Sequence, residues 1–180
     1  MKQMDLILRE IKEVMTRLDF QQINQMMDAL QQAKRIFVLG EGRSGLQGKG
    51  FAMRLMHLGF PVYVIGESTT PSVNSGDTLV AISGSGTTSM IISLTEKAKA
   101  NGVKIIGLTS SDTSKLAHLA DHPVIIPGAT KTGSGIHSIQ LLSSLFDQTL
   151  HITLAYVCLE LSQKKSVSNE QANEQHSNME

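Results

Sequence analysis

Short, almost continuously apolar segments recur five times between residues 35 and 126, separated by helical patterns or polar turns. Strands have this composition when both faces of their sheet are covered, as in a parallel sheet with helices on each side. The pattern predicts one α/β domain of three layers (helices, sheet, helices), with parallel strands at 35–40, 61–66, 78–82, 103–108 and 122–126.

Apolar residues at helical spacing predict six helices, at 3–18, 20–33, 45–58, 89–100, 114–119 and 139–161. In the third helix we expect Met53, Leu55, Met56 and Leu58 to form a buried face. The single domain of 180 residues is therefore divided into a helical pair at 3–33, a core at 35–162 and a tail at 163–180. The tail is polar, and its composition is typical of a disordered segment.

The composition excludes several classes of partner. The formal net charge is zero and the sequence pI is about 7.0, so we expect no affinity for nucleic acid or for an acidic membrane surface. No apolar stretch reaches the length of a membrane span, and the N-terminus lacks a signal-type apolar region, which predicts a cytoplasmic protein. The one cysteine, Cys158, lies in an apolar helical run and is predicted to be a core residue.

The turn after the third strand consists of small residues, Ser83, Gly84, Ser85, Gly86, Thr87 and Thr88. Glycines allow the backbone N–H groups to turn inward, hydroxyls add donors, and the following helix presents its positive end. The turn lacks the lysine of a nucleotide P-loop and does not match GxGxxG, so it predicts a site for a phosphorylated metabolite. An ordinary strand-to-helix turn is the alternative.

A second polar turn follows the first strand and contains Arg43 and Ser44. A guanidinium matches a phosphate or sugar hydroxyls, although a solvated surface arginine is equally compatible with the sequence. Both turns lie at carboxyl ends of parallel strands, where ligands of such sheets bind. We therefore expect the two turns to converge on one crevice.

Five further residues are candidates for proton transfer: Asp147, His57, Glu67, Glu180 and His176. Asp147 interrupts an apolar helix, where solvent exposure is the simpler expectation and a partly apolar cavity, which would raise its pKa, is the alternative. His57 ends a helix, so an interaction with the helix dipole would also explain it. The last two lie in the polar tail.

Neither a metal nor a cofactor is expected. His118 and His122 are four residues apart, but no carboxylate follows His118 in the zincin pattern, and Pro123 ends any helix there.

The chain resembles the sugar isomerase (SIS) domain family, whose members carry the Ser-Gly-Ser-Gly-x-Thr turn found here at 83–88. Within that family it is similar to the 6-phospho-3-hexuloisomerases. This closer resemblance rests on residues 40–45 (Gly-Glu-Gly-Arg-Ser-Gly), 52–59 (Ala-Met-Arg-Leu-Met-His-Leu-Gly), 66–71 (Gly-Glu-Ser-Thr-Thr-Pro), 144–148 (Ser-Leu-Phe-Asp-Gln) and 176–180 (His-Ser-Asn-Met-Glu).

The resemblance implies interconversion of hexulose 6-phosphate and fructose 6-phosphate through an enediolate, in the ribulose monophosphate pathway of formaldehyde fixation. It also implies a five-stranded parallel sheet and a homotetramer with active sites at subunit contacts. The turn at 83–88, with Arg43 and Ser44, would hold the phosphate. Asp147 and His57 would transfer protons, and the tail would form a short helix or lid against another chain.

Two positions depart from the subfamily pattern: Thr87 and Asp147 both stand where glutamate is usual. Because aspartate is one methylene shorter, the distance from base to substrate carbon is in question. Two other functions remain open, namely isomerisation of another phosphosugar and phosphosugar sensing by a regulator without catalysis. The absence of a helix-turn-helix pattern and of a basic patch argues against a transcription factor.

Overall fold

In the computed structural model, which describes residues 2–179, helices and strands alternate through the middle of the chain. The helices are α1 (Lys2–Thr16), α2 (Phe20–Gln32), α3 (Gly42–His57), α4 (Ser89–Ala100), α5 (Lys115–Leu119), α6 (Ser144–Lys164) and α7 (Asn169–Glu174). The strands are β1 (Ile36–Gly40), β2 (Val62–Val64), β3 (Thr78–Ile82), β4 (Lys104–Thr109) and β5 (His122–Ile125).

The five strands form one sheet in the order β2-β1-β3-β4-β5, and all neighbouring strands are parallel. In the register of the sheet, Val38 lies between Val64 and Val80. The fold class predicted from the alternating pattern is confirmed.

Successive residues of each strand face opposite sides of the sheet, and each side has its own apolar core. Val38 and Val80 pack with α1, α2, α3 and α6 on one side. Phe37 and Leu79 pack with residues of α4 and α5 on the other. The sheet is therefore the middle of three layers, as expected.

The strand order changes direction between β1 and β3. The chain leaves β1 through α3 on one face of the sheet and leaves β3 through α4 on the other. Helices that diverge in this way leave a crevice beyond the carboxyl ends of the two strands. Both polar turns of interest, 40–45 and 83–88, lie at this crevice.

The predicted helix boundaries are wrong at two places near the site. Helix α3 begins at Gly42 instead of residue 45, so Arg43 and Ser44 belong to its first turn. Helix α6 begins at Ser144 instead of residue 139. Residues 139–143 are not helical because Leu142 has a φ of 58° and Glu10 binds the backbone N–H of Ile139.

The tail is ordered where composition predicts disorder. Residues Asn169–Glu174 form α7, whose first turn is closed by a capping box between Ser168 and Gln171. Helix α7 packs against α3 of its own chain. A short helix is therefore present, while its contact with a second chain stays a prediction.

The buried face predicted for α3 is half wrong. Leu55 and Leu58 are buried, but Met53 and Met56 are exposed on the outer side of the helix. Cys158 is buried in α6 as predicted, and burial raises the pKa of its thiol to about 12. No helix between residues 2 and 179 combines the length and the apolar character needed to cross a bilayer.

The turn between β1 and α3 depends on a close approach of two backbone segments. A Cβ added at Gly45 would lie 2.7 Å from the carbonyl oxygen of Gly40, which is backbone and cannot move aside. A Cβ added at Gly50, farther along the same helix, would meet nothing within 4 Å. The same substitution therefore has opposite expected effects at the two positions.

We predict that Gly45→Ala lowers the free energy of unfolding by about 1–3 kcal/mol, the usual effect of overpacking. Gly50→Ala should raise it by about 0.5–1 kcal/mol, because alanine is the better helix former. Urea unfolding of both variants measures the difference. Equal effects at the two positions would contradict the close approach described here.

Candidate active site

A cleft of about 310 Å³ opens at the carboxyl ends of β1 and β3. It is bounded by the first turn of α3, the turn after β3, the segment 127–143 and the first turn of α6. The lining residues are Glu41, Gly42, Arg43, Ser44, Ile82, Ser83, Gly84, Ser85, Thr88, Ile91, Thr130, Lys131, Leu142, Ser143 and Asp147. The expected convergence of the two polar turns is confirmed.

The turn after β3 is held by its own hydroxyl groups. Ser83 is buried, and its Oγ lies 2.9 Å from Thr88 Oγ1 and accepts a hydrogen bond from the backbone N–H of Gly86 at 3.1 Å. Ser85 Oγ accepts from the backbone N–H of Thr87 at 3.3 Å and from its hydroxyl at 3.2 Å. The turn is therefore preorganised, with Ser83, Ser85 and Thr88 lining the cleft.

Gly86 cannot be replaced without distortion of this turn. Its φ is +63°, and an added Cβ would lie 2.3 Å from Ser114 Oγ and 2.7 Å from Thr109 Oγ1. The glycine thus lets the turn lie directly against Thr109, the last residue of β4, and against Ser114, which follows that strand.

Helix α4 begins at this turn without a side-chain cap. Thr88 is the N-cap residue, but its hydroxyl bonds Ser83 and makes no capping hydrogen bond. The first N–H groups of the helix therefore have no side-chain acceptor, and the helix dipole adds partial positive charge there. An anion in the cleft would provide the missing acceptor.

Arg43 and Asp147 meet across the cleft. Arg43 Nη1 donates to Ser144 Oγ at 3.1 Å and lies 3.4 Å from Asp147 Oδ2. The arginine side chain is about half exposed, so this ion pair contributes little to stability. Its consequence is orientation, since it directs the guanidinium and the carboxyl to one cleft.

The simpler expectation for Asp147, exposure to solvent, is wrong. Asp147 is only 8% exposed, and its Oδ1 is buried without a hydrogen-bond partner. Burial raises the pKa of this carboxyl above its usual value, and Arg43 offsets only part of that effect. A carboxyl with a raised pKa and a free oxygen in a cleft is suited to take up and return a proton.

The segment 127–143 forms a wall of the cleft next to the turn, although no sequence motif assigns it to a site. Thr130 Oγ1 lies 2.6 Å from Ser134 Oγ, which in turn lies 2.6 Å from Ser110 Oγ. Ser110 Oγ donates to the carbonyl of Gly84 at 2.8 Å. A relay of hydroxyls thus joins the wall to the turn. The segment follows β5, so its position at a carboxyl strand end was a usable signal.

His57 and His176 lie elsewhere on the chain. His57 is in the last turn of α3, and its Nε2 is 3.0 Å from Nδ1 of His176, which follows α7. At about 1.5 Å per residue, the length of α3 separates His57 from Arg43 by about 20 Å. The two histidines line a separate shallow cleft together with Asn169, Ala172 and Asn173.

Glu67 is not in the cleft either. It is exposed and forms an ion pair with Lys49 at 2.6 Å. Glu180 lies outside the described residues. Within a single chain, the structure therefore brings Asp147 close to the turn at 83–88 and does not bring His57, Glu67 or His176 there.

No group of three or more histidine, cysteine, aspartate or glutamate side chains within residues 2–179 is arranged to hold a metal ion. The chemistry available in the cleft is that of hydroxyls, backbone N–H groups, two cations and the carboxyls of Asp147 and Glu41.

Known proteins resemble this chain along nearly its whole length. It is 40% identical to the 3-hexulose-6-phosphate isomerase of Mycobacterium gastri, over 98% of this chain and 89% of the relative. It is 36% identical to the 3-hexulose-6-phosphate isomerase of Bacillus subtilis, over 97% of this chain and 95% of the relative.

The fold matches a solved structure equally fully. A crystal structure of a Methanococcus jannaschii protein, whose inferred function is 3-hexulose-6-phosphate isomerase, has a TM-score of 0.88 and 29% identity. That comparison covers the whole of both chains. Residues 29–157, which include both polar turns and Asp147, match the SIS domain. The chain therefore belongs to the SIS domain family.

Proposed function

We propose that this chain is a 3-hexulose-6-phosphate isomerase that interconverts D-arabino-hex-3-ulose 6-phosphate and fructose 6-phosphate. The observation that carries the proposal is a single cleft lined by both a hydroxyl-rich turn and a buried carboxyl with an unpaired oxygen. The names of the relatives at 36–40% identity support the choice of substrate. The reaction would serve formaldehyde assimilation by the ribulose monophosphate pathway, in the cytoplasm.

The substrate's phosphate binds at the turn in this proposal. Ser83, Ser85 and Thr88 supply hydroxyl donors, and Gly84 lines the cleft beside them. Gly86 and Thr87 complete the same turn and hold its hydroxyls in place through their hydrogen bonds to Ser83 and Ser85. The uncapped N-terminus of α4 adds N–H groups. Arg43 and Ser44 supply further donors from the first turn of α3, which lines the same cleft. Binding energy from the phosphate then positions the reacting carbons.

Asp147 acts as the base. Its carboxylate removes the proton from C2 of the 3-ketose, the C2–C3 enediolate forms, and the same carboxyl returns the proton to C3. A second proton moves between the two oxygens, so the carbonyl passes from C3 to C2 and no electrons leave the substrate. A raised carboxyl pKa brings the base closer to the pKa that proton exchange near neutral pH requires.

Arg43 stabilises the enediolate in this proposal. Its guanidinium lies 3.4 Å from the base and can donate to the oxygen that becomes negative in the enediolate. Donors that are already oriented lower the barrier because they need no rearrangement when the charge develops.

His57 and His176 contribute from a second copy of the chain in this proposal. One chain cannot bring them to Asp147, because α3 separates its two ends by about 20 Å. The outer faces of α3 and α6 expose large apolar side chains, which is typical of an interface: Leu46, Met53, Met56, Ile152 and Leu159. We infer a homotetramer in which the tail of one subunit, with Glu180, closes the cleft of another.

Two alternatives lead to different measurements. An isomerase for another phosphosugar would have turnover with a different ketose or aldose phosphate and none with the hexulose. A sensor would bind a phosphosugar without converting it. The burial of Asp147 favours catalysis, because a sensor gains nothing from a carboxyl that is costly to ionise.

We predict that the unaltered protein forms fructose 6-phosphate from enzymatically made hexulose 6-phosphate and that Asp147→Asn loses about 10²- to 10⁴-fold in kcat, the usual contribution of a general base. KM should change little, because the phosphate contacts remain. Asp147→Glu should keep more activity than the amide. An active Asp147→Asn protein would reject this base, and an inactive unaltered protein would reject the function.

Stability provides the control for that variant. The folded-state pKa of Asp147 is raised, so its contribution to stability is present below the unfolded-state pKa and is lost as the pH rises through the folded-state pKa. At neutral pH Asp147→Asn should therefore raise Tm, whereas at pH 3 the two proteins should unfold at the same temperature. A lower Tm would show that the loss of activity comes from misfolding.

For the phosphate site we predict that Ser85→Ala raises KM for the phosphorylated substrate by roughly 10-fold, the effect of one lost hydrogen bond to an anion. Within residues 2–179 its hydroxyl forms hydrogen bonds only with Thr87, so the fold should be unaffected. Ser75→Ala, at the amino end of β3, is the matched control and should leave KM unchanged. Equal KM values for the two variants would remove Ser85 from the site.

If two subunits build each active site, two inactive variants should restore activity to one another in mixed oligomers. Asp147→Asn and His176→Ala should each be inactive alone, whereas co-expressed subunits should recover about one quarter of the normal activity, because random assembly leaves about that share of sites intact. Removal of residues 170–180 should also inactivate the protein. Mixed oligomers without recovery, or a fully active His176→Ala protein, would contradict a site built by two subunits.

A further inference from the structure

Lys131 lies in the segment 127–143, which connects β5 to α6, and lines the same cleft as the hydroxyl-rich turn. Neither the turn motif nor the resemblance to other isomerases draws attention to it. Its side chain is exposed to solvent at the mouth of the cleft. It is one of two cations in the lining, with Arg43.

The charges of the cleft leave a role for a second cation. A phosphate monoester carries about 1.5–2 negative charges at neutral pH. The turn offers only neutral hydroxyl and N–H donors, and Asp147, 3.4 Å away, compensates part of the charge that Arg43 brings to the phosphate. Glu41 adds a further negative charge to the lining. Among residues 2–179, no carboxylate forms an ion pair with Lys131, so its charge remains available to a ligand.

The backbone around Lys131 is fixed relative to the turn. Thr130, its neighbour, is buried and joined through the hydroxyls of Ser134 and Ser110 to the carbonyl of Gly84. The backbone N–H of Lys131 donates to Ser143 Oγ at 3.3 Å, just before α6. A long flexible side chain is thereby anchored at a defined distance from the phosphate turn.

Further hydrogen bonds fix residues 138–140 of the same segment. Glu10 of α1 accepts hydrogen bonds from Ser138 Oγ at 2.6 Å and from the backbone N–H of Ile139 at 2.8 Å. Gln140 and Gln148 exchange side-chain hydrogen bonds at 3.0 and 2.8 Å. The segment is therefore a braced wall that positions Lys131, because it is tied to α1, α6 and the turn.

We propose that Lys131 is a further substrate-binding residue, whose ammonium group neutralises the phosphate together with Arg43 of the same cleft. The proposal rests on the proposed function, since it takes a sugar phosphate as the ligand. In this arrangement the turn orients the phosphate oxygens and Lys131 supplies the charge that the turn lacks. Lysine suits this task, because it acts as a point charge on a flexible stem.

The test compares Lys131→Met with Lys104→Met. The control removes the same charge at the amino end of β4, whereas the cleft lies at the carboxyl ends of the strands. It therefore accounts for the change in net charge. Isothermal titration with fructose 6-phosphate and with inorganic phosphate measures binding, and steady-state kinetics measure KM and kcat. We expect Lys131→Met to weaken binding of both ligands and to raise KM by roughly 10- to 100-fold, with a small change in kcat.

Two further measurements separate binding from structure. Lys131→Arg should recover most of the affinity, because it keeps the positive charge. Without ligand, Lys131→Met should unfold at the same temperature as the unaltered protein, since the side chain is exposed and forms no ion pair with another residue of the range 2–179. Affinity equal to that of Lys104→Met, or a loss of affinity matched by a loss of stability, would overturn the proposal.

The direct titration keeps this proposal distinct from the proposed isomerase activity. If the protein binds phosphate through Lys131 but does not convert hexulose 6-phosphate, the lysine assignment stands and the activity fails. If the enzyme is active and Ser85→Ala weakens phosphate binding while Lys131→Met does not, the lysine assignment fails alone. If the unaltered protein binds neither ligand, both fail.

Discussion

The site exists because β1 and β3 are adjacent and parallel while the helices that follow them leave on opposite faces of the sheet. Divergence of α3 and α4 opens the cleft, and the same arrangement presents the first turns of both helices to it. The backbone contact between Gly40 and Gly45 holds α3 against the end of its strand. Every polar group discussed for substrate binding depends on this one change of direction in the strand order.

The two parts of the cleft differ in their effect on the stability of the fold. Hydroxyls of the turn satisfy one another in the absence of a ligand, so Ser83 and Thr88 are stable as they are. Asp147 has no such arrangement, because one oxygen is buried without a partner and ionisation is opposed by burial. An apolar side chain of similar size would suit the fold better. The proposed role as a base would account for a carboxyl at a position where stability does not.

The sequence predicts the sheet and both turns well, because strand periodicity and small-residue turns are local signals. It fails for Asp147, whose burial depends on where α6 begins. That start is set by Leu142, a non-glycine residue with positive φ, and by Glu10, more than a hundred residues away in the chain. The separation of His57 from Arg43, by contrast, follows from the length of the helix predicted at 45–58. Tertiary contacts decide the burial of Asp147.

The hydrogen bonds between Glu10 and the segment 127–143 limit how far the chain can be shortened. The match to the SIS domain covers residues 29–157, so α1, which carries Glu10, lies outside the part shared with the whole family. The wall of the cleft is nevertheless fastened to that helix. A fragment trimmed to the family boundaries would retain the sheet and lose a support of its own binding cleft. The recurring domain and the working unit of this protein therefore have different limits.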